Sequence, residues 1–452
     1  MLALKGKGNW LILLILVINL IFWITSKQYF QDSFSSPFKY LAKIASLTGT
    51  LMMSITLLLS TKTSFLEYLF GGLDKVYKSH HTYGRWAFTL LVLHPIFLSF
   101  VRLPNVLGVF EYFIPSFEDN YYIGHGLGLI TLLLFFVLIY LTISKTINYE
   151  LWLKTHSMFG LVYLLGIVHI LLVSADIYKY QLFGIWYYFW LLVGVVSYLW
   201  IAVFYNFFGK KYKYKITNKE VIGNVTEFTF TPLKNAIKHK PGQFLYTRFL
   251  SDGLKDEVHP YSIASYSEDG NIKMGIKALG DHTKLVQDCG VGLEVEFTGP
   301  FGGLSEKVML NNDKKVVLIG GGIGITPMIS IWEYILKHKH KQAQLIYVAS
   351  FKEEASFDDD FIKLNSNYGL GNNDYWLYLD GKKDFFNVEK LKNKIITLEN
   401  TVFLLCGPKA MTNSIIKVLK EEGVSNANIV LEDFDFGIGK NNWFVHIKEL
   451  FV

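Results

Sequence analysis

Cysteine is close to absent: Cys289 and Cys406 are the only two in 452 residues. Two cysteines cannot build a disulfide framework, and their scarcity suits a reducing compartment. A strong excess of one charge is missing too. The formal net charge is +6, and the lysines gather at the edges of apolar runs instead of forming one patch, which argues against nucleic acid as a partner. The chain shows no repeat of about 20 to 50 residues, which excludes solenoids and propellers, and no low-complexity tract. A cleavable leader is not expected. Lys5 and Lys7 precede an apolar run, but Phe22, Trp23 and Ile24 stand where a cleavage site needs small residues.

What is present is unevenly placed. The chain is 51% hydrophobic, and residues 1–209 hold most of that as membrane-like runs, whereas residues 210–452 carry most of the charge. Six segments are long and apolar enough to cross a bilayer: Asn9–Thr25, Phe38–Thr61, Ser79–Val101, Tyr121–Ser144, Leu151–Val173 and Phe183–Phe208. Of the connecting segments, one side collects Lys5, Lys7, Lys62, Lys75, Lys78, Lys145, Lys154, Lys210, Lys211, Lys213 and Lys215, and the other only Lys27, Lys39, Arg102 and Lys179. The positive side is expected to be cytoplasmic, with both termini inside.

Histidines sit inside two of these spans, where ionisable groups are costly and usually mark function. His80 and His94 are 14 residues apart, about 21 Å of helix rise and within roughly 40° of one stripe. His156 and His169 are 13 apart, about 140° out of register on an ideal helix, so the fifth span needs a local irregularity or another approach angle. Two helices with two separated histidines each could clamp two hemes, one above the other. The plain alternative is four unrelated packed or interfacial histidines. His81 competes with His80, which is preferred because Gly84 follows it as Gly160 follows His156, one turn on, where a flat macrocycle could approach the backbone. Arg85 fits either a heme propionate or a snorkelling cation. His125 reads as interfacial.

From residue 210 to 312 the pattern is short alternating strands: YKYKIT, VTEFTFTP, QFLYTRFL, HPYSIASY, IKMGIKAL and EVEFTGPF. It predicts a small antiparallel barrel. Residues 313–452 alternate buried strands with helical patterns, predicting a parallel, helix-covered sheet. Gly320–Gly324 follows a strand and opens a helix, a turn whose amides suit a pyrophosphate, although Ile325 and Pro327 break the G-x-G-x-x-G pattern.

HPYSIAS (His259–Ser265), KALGDHT (Lys277–Thr283), TGPFG (Thr298–Gly302), GGGIGITPM (Gly320–Met328) and LCGPKAM (Leu405–Met411) resemble, in this order, the motifs of ferredoxin-NADP reductase-type flavoproteins. Behind spans with paired histidines, the whole resembles the NADPH oxidase / ferric reductase family of transmembrane flavocytochromes. The resemblance implies a membrane all-α six-helix heme bundle, an antiparallel β-barrel FAD domain and an α/β parallel-sheet NAD(P)-binding domain. It assigns His80, His94, His156 and His169 to two b-type hemes. Tyr261 would lie on the flavin ring and Ser262 would reach its redox nitrogen; His259 stands where many soluble relatives have an arginine for a phosphate contact, and Pro260 and Lys277 complete the flavin-binding set. Gly280 and Thr283 would bind the flavin pyrophosphate. Gly320, Gly321, Gly322, Gly324 and Thr326 would take the nicotinamide cofactor, with Cys406, Gly407 and Pro408 near the nicotinamide, although Cys406 also fits an inert buried cysteine. Phe436 in EDFDF would cover the flavin, with Phe434 and Trp443 as alternatives. Ser350 stands where many relatives place an arginine for a 2′-phosphate, and Lys352 could compensate, which tilts NADPH or NADH toward NADPH.

The implied function is electron transfer from cytosolic NAD(P)H through FAD and two hemes to dioxygen outside, giving superoxide. A ferric chelate is the alternative acceptor. The outer segments are short, hold no His, Cys or Met cluster, and carry only scattered acids (Asp32, Glu111, Glu118, Asp119, Asp176). The lipid bilayer is the expected environment, and no obligate protein partner is evident. Two rival classes are a heme-free anchor on a flavin reductase and a histidine-lined channel with a redox sensor. An absorption spectrum separates them.

Overall fold

The structure is a computed structural model that describes residues 6–26, 37–115, 118–144, 147, 149–173, 177–178, 180–205, 209–255, 257–267, 269–310, 314–338, 342–369, 374–381 and 398–432. Two compact units divide between Gly209 and Lys210.

The first unit is helical: α1 (Gly8–Ser26), α2 (Pro37–Leu59), α3 (Ser64–Phe70), α4 (Leu73–Phe100), α5 (Val106–Glu111), α6 (Asn120–Ile143), α7 (Tyr149–Ser157), α8 (Phe159–Val173) and α9 (Gln181–Leu199), the last running on as a π-helical turn, Trp200–Phe204. Large apolar side chains stand outward on α1, α6 and α9, among them Trp10, Leu14, Leu133, Tyr140, Ile185 and Leu192. Such continuous apolar exposure is stable only in lipid. Among the described residues, five helices are long and apolar enough to cross a bilayer: Gly8–Ser26, Pro37–Leu59, Tyr121–Ile143, Leu151–Val173 and Gln181–Phe204. Five of the six expected spans meet that description. The expected third span lies within α4, which is long enough at 28 residues, but Arg85, His80, His81 and His94 dilute its apolar content. The expected fifth span is interrupted at Met158, between α7 and α8.

Helix α2 is the centre of this unit, buried on most sides between α4 and α9. Its buried hydroxyls are satisfied locally: Ser54 Oγ donates to Thr50 O and Thr56 Oγ1 to Met52 O. Tyr163 ties three helices, with its hydroxyl 2.7 Å from Ser54 Oγ and donating to Leu191 O. The short helices end on local signals. Gly71, at φ 78°, closes α3 with its N–H on Glu67 O, and Asp119 Oδ1 caps α6 through Tyr122 N–H.

The second unit begins with six strands, β1 (Tyr212–Ile222), β2 (Val225–Pro232), β3 (Phe244–Phe249), β4 (His259–Ser262), β5 (Ile272–Lys277) and β6 (Glu294–Phe301), with α10 (Asp281–Asp288) after β5. They form one antiparallel sheet in the order β4-β3-β6-β1-β2-β5. The sheet curls around buried Tyr214, Phe228, Phe230, Phe249 and Phe297. The Tyr214 hydroxyl accepts from Ile237 N–H and donates to Gly270 O, so its burial leaves no polar atom unpaired. No strand pairing joins β4 to β5; their seam is bridged just beyond β4, by Ala264 N–H on Lys273 O and Lys273 N–H on Ser265 Oγ. The expected antiparallel barrel is therefore a curled sheet whose β4–β5 seam carries these two bonds and no strand pairing.

A parallel sheet follows: β7 (Lys315–Gly321), β8 (Ala343–Ala349), β9 (Asp374–Leu379), β10 (Thr401–Cys406) and β11 (Ile429–Glu432), with α11 (Glu306–Leu310) ahead of it and α12 (Thr326–Lys337), α13 (Asp358–Tyr368) and α14 (Lys409–Glu421) between strands. Its order is β11-β10-β7-β8-β9. The first strand is central, and the chain leaves it toward β8 and later returns to its other side at β10. Trp332 on α12 is fully buried, its Nε1–H donating to Asn365 Oδ1. The two sheets are joined by Gly242 N–H on Ser330 Oγ and Tyr266 N–H on Glu333.

Candidate functional site

Three of the four histidines of α4, α7 and α8 share one device. His80 Nδ1 lies 2.9 Å from Thr56 O, His94 Nδ1 2.9 Å from Ala42 O, and His169 Nδ1 2.7 Å from Gly124 O. A carbonyl oxygen only accepts, so each Nδ1 carries the proton and each neutral ring keeps its lone pair on Nε2. His156 Nδ1 faces Thr142 Oγ1 at 3.4 Å. The His80 and His156 rings approach to 6.1 Å between centroids. His81 is exposed, and its ring lies 5.9 Å from that of His80. Arg85 Nε reaches back to His81 O on its own helix.

The glycines do other work than expected. A Cβ on Gly160 would meet the Tyr198 ring at 1.9 Å, and Gly84 faces the Thr56 methyl. Gly160 admits the neighbouring helix where a side chain would clash, whereas the contact at Gly84 would tolerate a methyl. The glycines that serve a histidine are Gly124 and Gly128 on α6: the first supplies the carbonyl to His169, and a Cβ on the second would strike the His169 ring at 2.6 Å. Their four-residue spacing is a close-packing signal visible in the sequence. Nothing in the sequence marked Thr56 and Ala42, because a backbone carbonyl has no residue signature.

In the curled sheet, β4 carries His259, Pro260, Tyr261 and Ser262, and pairing with β3 sets them opposite Thr247, Tyr246, Leu245 and Phe244. Ser262 is buried. Tyr261 OH is 3.3 Å from His282 Nδ1, and burial pushes its phenol upward. His259 Nε2 lies 2.5 Å from Glu257 Oε2, and its ring sits 3.8 Å from that of His282. Burial first, and then the neighbouring His259, push His282 down to about 4, which keeps it neutral at pH 7. Glu257, His259 and His282 place their ligand atoms within 4.8 Å of one another, close enough to hold a metal ion. Sequence reasoning missed Glu257 and His282, although both lie in or beside the motifs quoted.

Lys277 ends β5 and Gly280 caps α10. A Cβ on Gly280 would meet nothing within 4 Å. Thr283 Oγ1 accepts from Leu279 N–H and Gly280 N–H, so the donors left for an anion are the first-turn amides of α10, which have no intrahelical partner.

In the parallel sheet, Gly320 and Gly321 end β7, Gly322–Ile325 form a 3₁₀ turn, and Thr326 and Pro327 start α12. Cys406 ends β10, paired to Gly320, and Gly407 and Pro408 follow it. The two turns touch: a Cβ on Gly324 would meet Cys406 C and O and Gly407 Cα at 2.7 Å. Gly322 has φ +54° and faces open space. This is the carboxyl edge of the sheet at the point where the strand order reverses, where open α/β sheets bind ligands. Cys406 is fully buried, a position that fits the inert reading. Ser350 follows β8, and Lys352 is ion-paired with Asp358. Phe436, Phe434 and Trp443 lie outside the described residues.

Residues 45–167 match the ferric reductase like transmembrane component family. Residues 208–321 match the FAD-binding domain, and residues 318–417 the oxidoreductase NAD-binding domain. The chain has the ferric reductase/NADPH oxidase-type architecture. It is an oxidoreductase whose helical unit precedes FAD- and NAD-binding domains. A component of the Na(+)-translocating NADH-quinone reductase of Yersinia enterocolitica (serotype O:8 / biotype 1B) is 29% identical over 216 residues, covering 42% of this chain and 52% of the relative. The chain thus spans about half the length of the curated relatives it matches. Among solved structures, the flavohem-like FAD/NAD-binding domain of nitric oxide dioxygenase from Vibrio cholerae O1 biovar El Tor is 22% identical at a TM-score of 0.42, covering 49% of this chain and 97% of that one. Flavohemoglobin from Malassezia yamatoensis with bound FAD and heme is 18% identical at a TM-score of 0.48, covering 89% and 99%. Neither likeness adds to the fold described above.

Proposed function

We propose that this ferric reductase/NADPH oxidase-type chain moves electrons from cytosolic NAD(P)H through FAD and two b-type hemes to dioxygen on the far side of the membrane, producing superoxide. The observation that carries the reading is the set of Nδ1 contacts on four histidines, three to backbone carbonyls and one to Thr142. Packed histidines without a function need no common tautomer, whereas metal-ligating histidines characteristically anchor the far nitrogen in this way. His80 and His156 have ring centres 6.1 Å apart, close enough that both rings could hold one iron. The donor set therefore fits heme iron, with His80 and His156 at the inner level and His94 and His169 at the outer. His80 is preferred to the exposed His81.

Bound flavin accepts a hydride and releases single electrons, which is what one-electron iron centres require. The chain's own residues bind and orient. Tyr261 and Ser262 would hold the isoalloxazine, and the first turn of α10 beside Gly280 its diphosphate. Gly320–Thr326 and Gly407–Pro408 would seat the nicotinamide nucleotide at the sheet's reversal point. No side chain of the membrane helices need act as acid or base. The lysine-rich side is read as cytoplasmic, with six spans including α4 and both termini inside. Dioxygen is favoured as acceptor because it requires no docking site, and Asp119, one of the few outer acids, is engaged as a helix cap.

The test is NAD(P)H-driven cytochrome c reduction by the purified protein in air. Each NAD(P)H should yield two superoxide ions and one proton, and superoxide dismutase should abolish the signal. Reduction insensitive to the dismutase, with ferric chelate reduced equally fast with and without oxygen, would replace the oxidase by a ferric reductase. Sharp reduced heme bands must accompany either result.

A further inference from the structure

In a parallel nucleotide-binding sheet, the segment after the second strand reads the adenosine ribose. A carboxylate there accepts from the 2′-hydroxyl of NADH, and an arginine there takes the 2′-phosphate of NADPH. Here that segment is Ser350–Glu354, after β8. Ser350 has no charge, and Lys352 is the one cation among these five residues.

Lys352 is already engaged, although its side chain is 58% exposed. Its ammonium is ion-paired with the Asp358 carboxylate. Asp358 is buried at the start of α13 and also accepts the Tyr375 hydroxyl. Moving the lysine to a ligand would leave this buried carboxylate without its cation. Glu353 and Glu354 add two carboxylates in the same turn, and Glu353 is exposed. The turn is also fixed in place. Glu354 N–H donates to Phe351 O, Ala355 N–H to Lys352 O, and Tyr347 OH to Glu354 O. The Glu353 carbonyl packs against Gly223, where a Cβ would meet it at 2.7 Å. A 2′-phosphate would enter net negative charge held on a rigid turn, whereas a 2′-hydroxyl would find acceptors.

We infer that this chain selects NADH over NADPH, with Asp358 and Tyr375 withholding Lys352 from the ribose pocket and Glu353 repelling a 2′-phosphate. The inference rests on the reading that the chain oxidises NAD(P)H. It is tested on the flavin-loaded full chain in detergent, with ferricyanide as acceptor, so that the identity of the outer acceptor does not matter. Each nicotinamide nucleotide then gives one proton and reduces two ferricyanides to ferrocyanide. NADH should exceed NADPH at least tenfold in kcat/KM. Asp358→Asn should raise NADPH kcat/KM severalfold, through KM, and change NADH less than twofold. Should that variant fold poorly, Ser350→Arg should shift the ratio toward NADPH by tenfold or more. Equal use of both nucleotides by the unaltered protein overturns the selectivity alone. So does a Lys352→Met variant that loses NADPH turnover tenfold while keeping NADH. Oxidation of neither nucleotide overturns the underlying reading together with this one.

Discussion

The histidine helices and the nucleotide sheets position their functional groups by opposite means. In the helices the working parts are side chains, and backbone carbonyls of neighbouring helices orient them, as Thr56 and Ala42 do for His80 and His94. In the sheets the working parts are backbone amides at turns, and what positions them is the absence of side chains, as at Gly324 against Cys406 and Gly407. The physical reason is the ligand each region is read to take. An iron centre needs a lone pair held at a fixed place, which an anchored imidazole supplies. A diphosphate needs several N–H donors at close range, which only a bare turn can bring together.

The largest effect tests the first half of this contrast. His94→Leu should remove the outer heme, cut the heme content to half and bring superoxide output to background, while ferricyanide reduction at the flavin continues. Heme extraction and the two assays on one preparation would show it. Unchanged heme content would mean that the imidazole is packing and not ligation.

An intermediate effect tests the other half. Gly324→Ala puts a methyl 2.7 Å from the Cys406 carbonyl carbon, an overpacking that costs about 1–3 kcal/mol. Nicotinamide KM should rise about tenfold, a binding loss of about 1.4 kcal/mol, with heme content unaltered. A variant with normal KM would separate this turn from the nucleotide.

The smallest effect sharpens the contrast on stability. Asp360 lines a cavity of about 330 Å³ with Glu227, Lys273 and Glu333. Burial first, and the Glu227 carboxylate second, push its carboxyl up to about 6. A raised carboxyl binds its proton more tightly when folded, so its contribution to stability is lost as pH rises from the unfolded value through 6. Asp360→Asn should therefore raise the unfolding temperature at pH 7.5 and give nothing at pH 4. After solvent screening the gain is about 1 kcal/mol, or about 2–4 °C. Equal gains at both pH values would show that the effect is packing.

The sequence was most legible where chemistry sits in side chains of fixed spacing. The histidine pairs on the third and fifth spans could be read directly, as could the strands among the described residues, because period-two burial and Val/Ile runs are local properties. The 13-residue step already demanded an irregularity, and the break at Met158 lies between His156 and His169. Less legible was anything that depends on which surfaces meet. Gly84 and Gly160 looked like openings for a macrocycle, but a glycine records only that something comes close, and here it is Thr56 and Tyr198. Lys352 looked like a free cation because its partner, Asp358, becomes its neighbour only when β8 turns into α13.

By itself, then, the sequence determined an apolar helical half and a soluble strand-rich half, with well-separated histidines in the first and glycine turns after buried strands in the second, since these follow from composition and period. Tertiary structure decided the rest. It turned His80 toward Thr56 and left His81 exposed, tied three Nδ1 atoms to carbonyls that no residue type announces, left the β4–β5 seam of the curled sheet without strand pairing, and paired Lys352 with Asp358. Each of these depends on contacts between separate segments of the chain, and the energy of such contacts is not written in the local pattern of either segment alone.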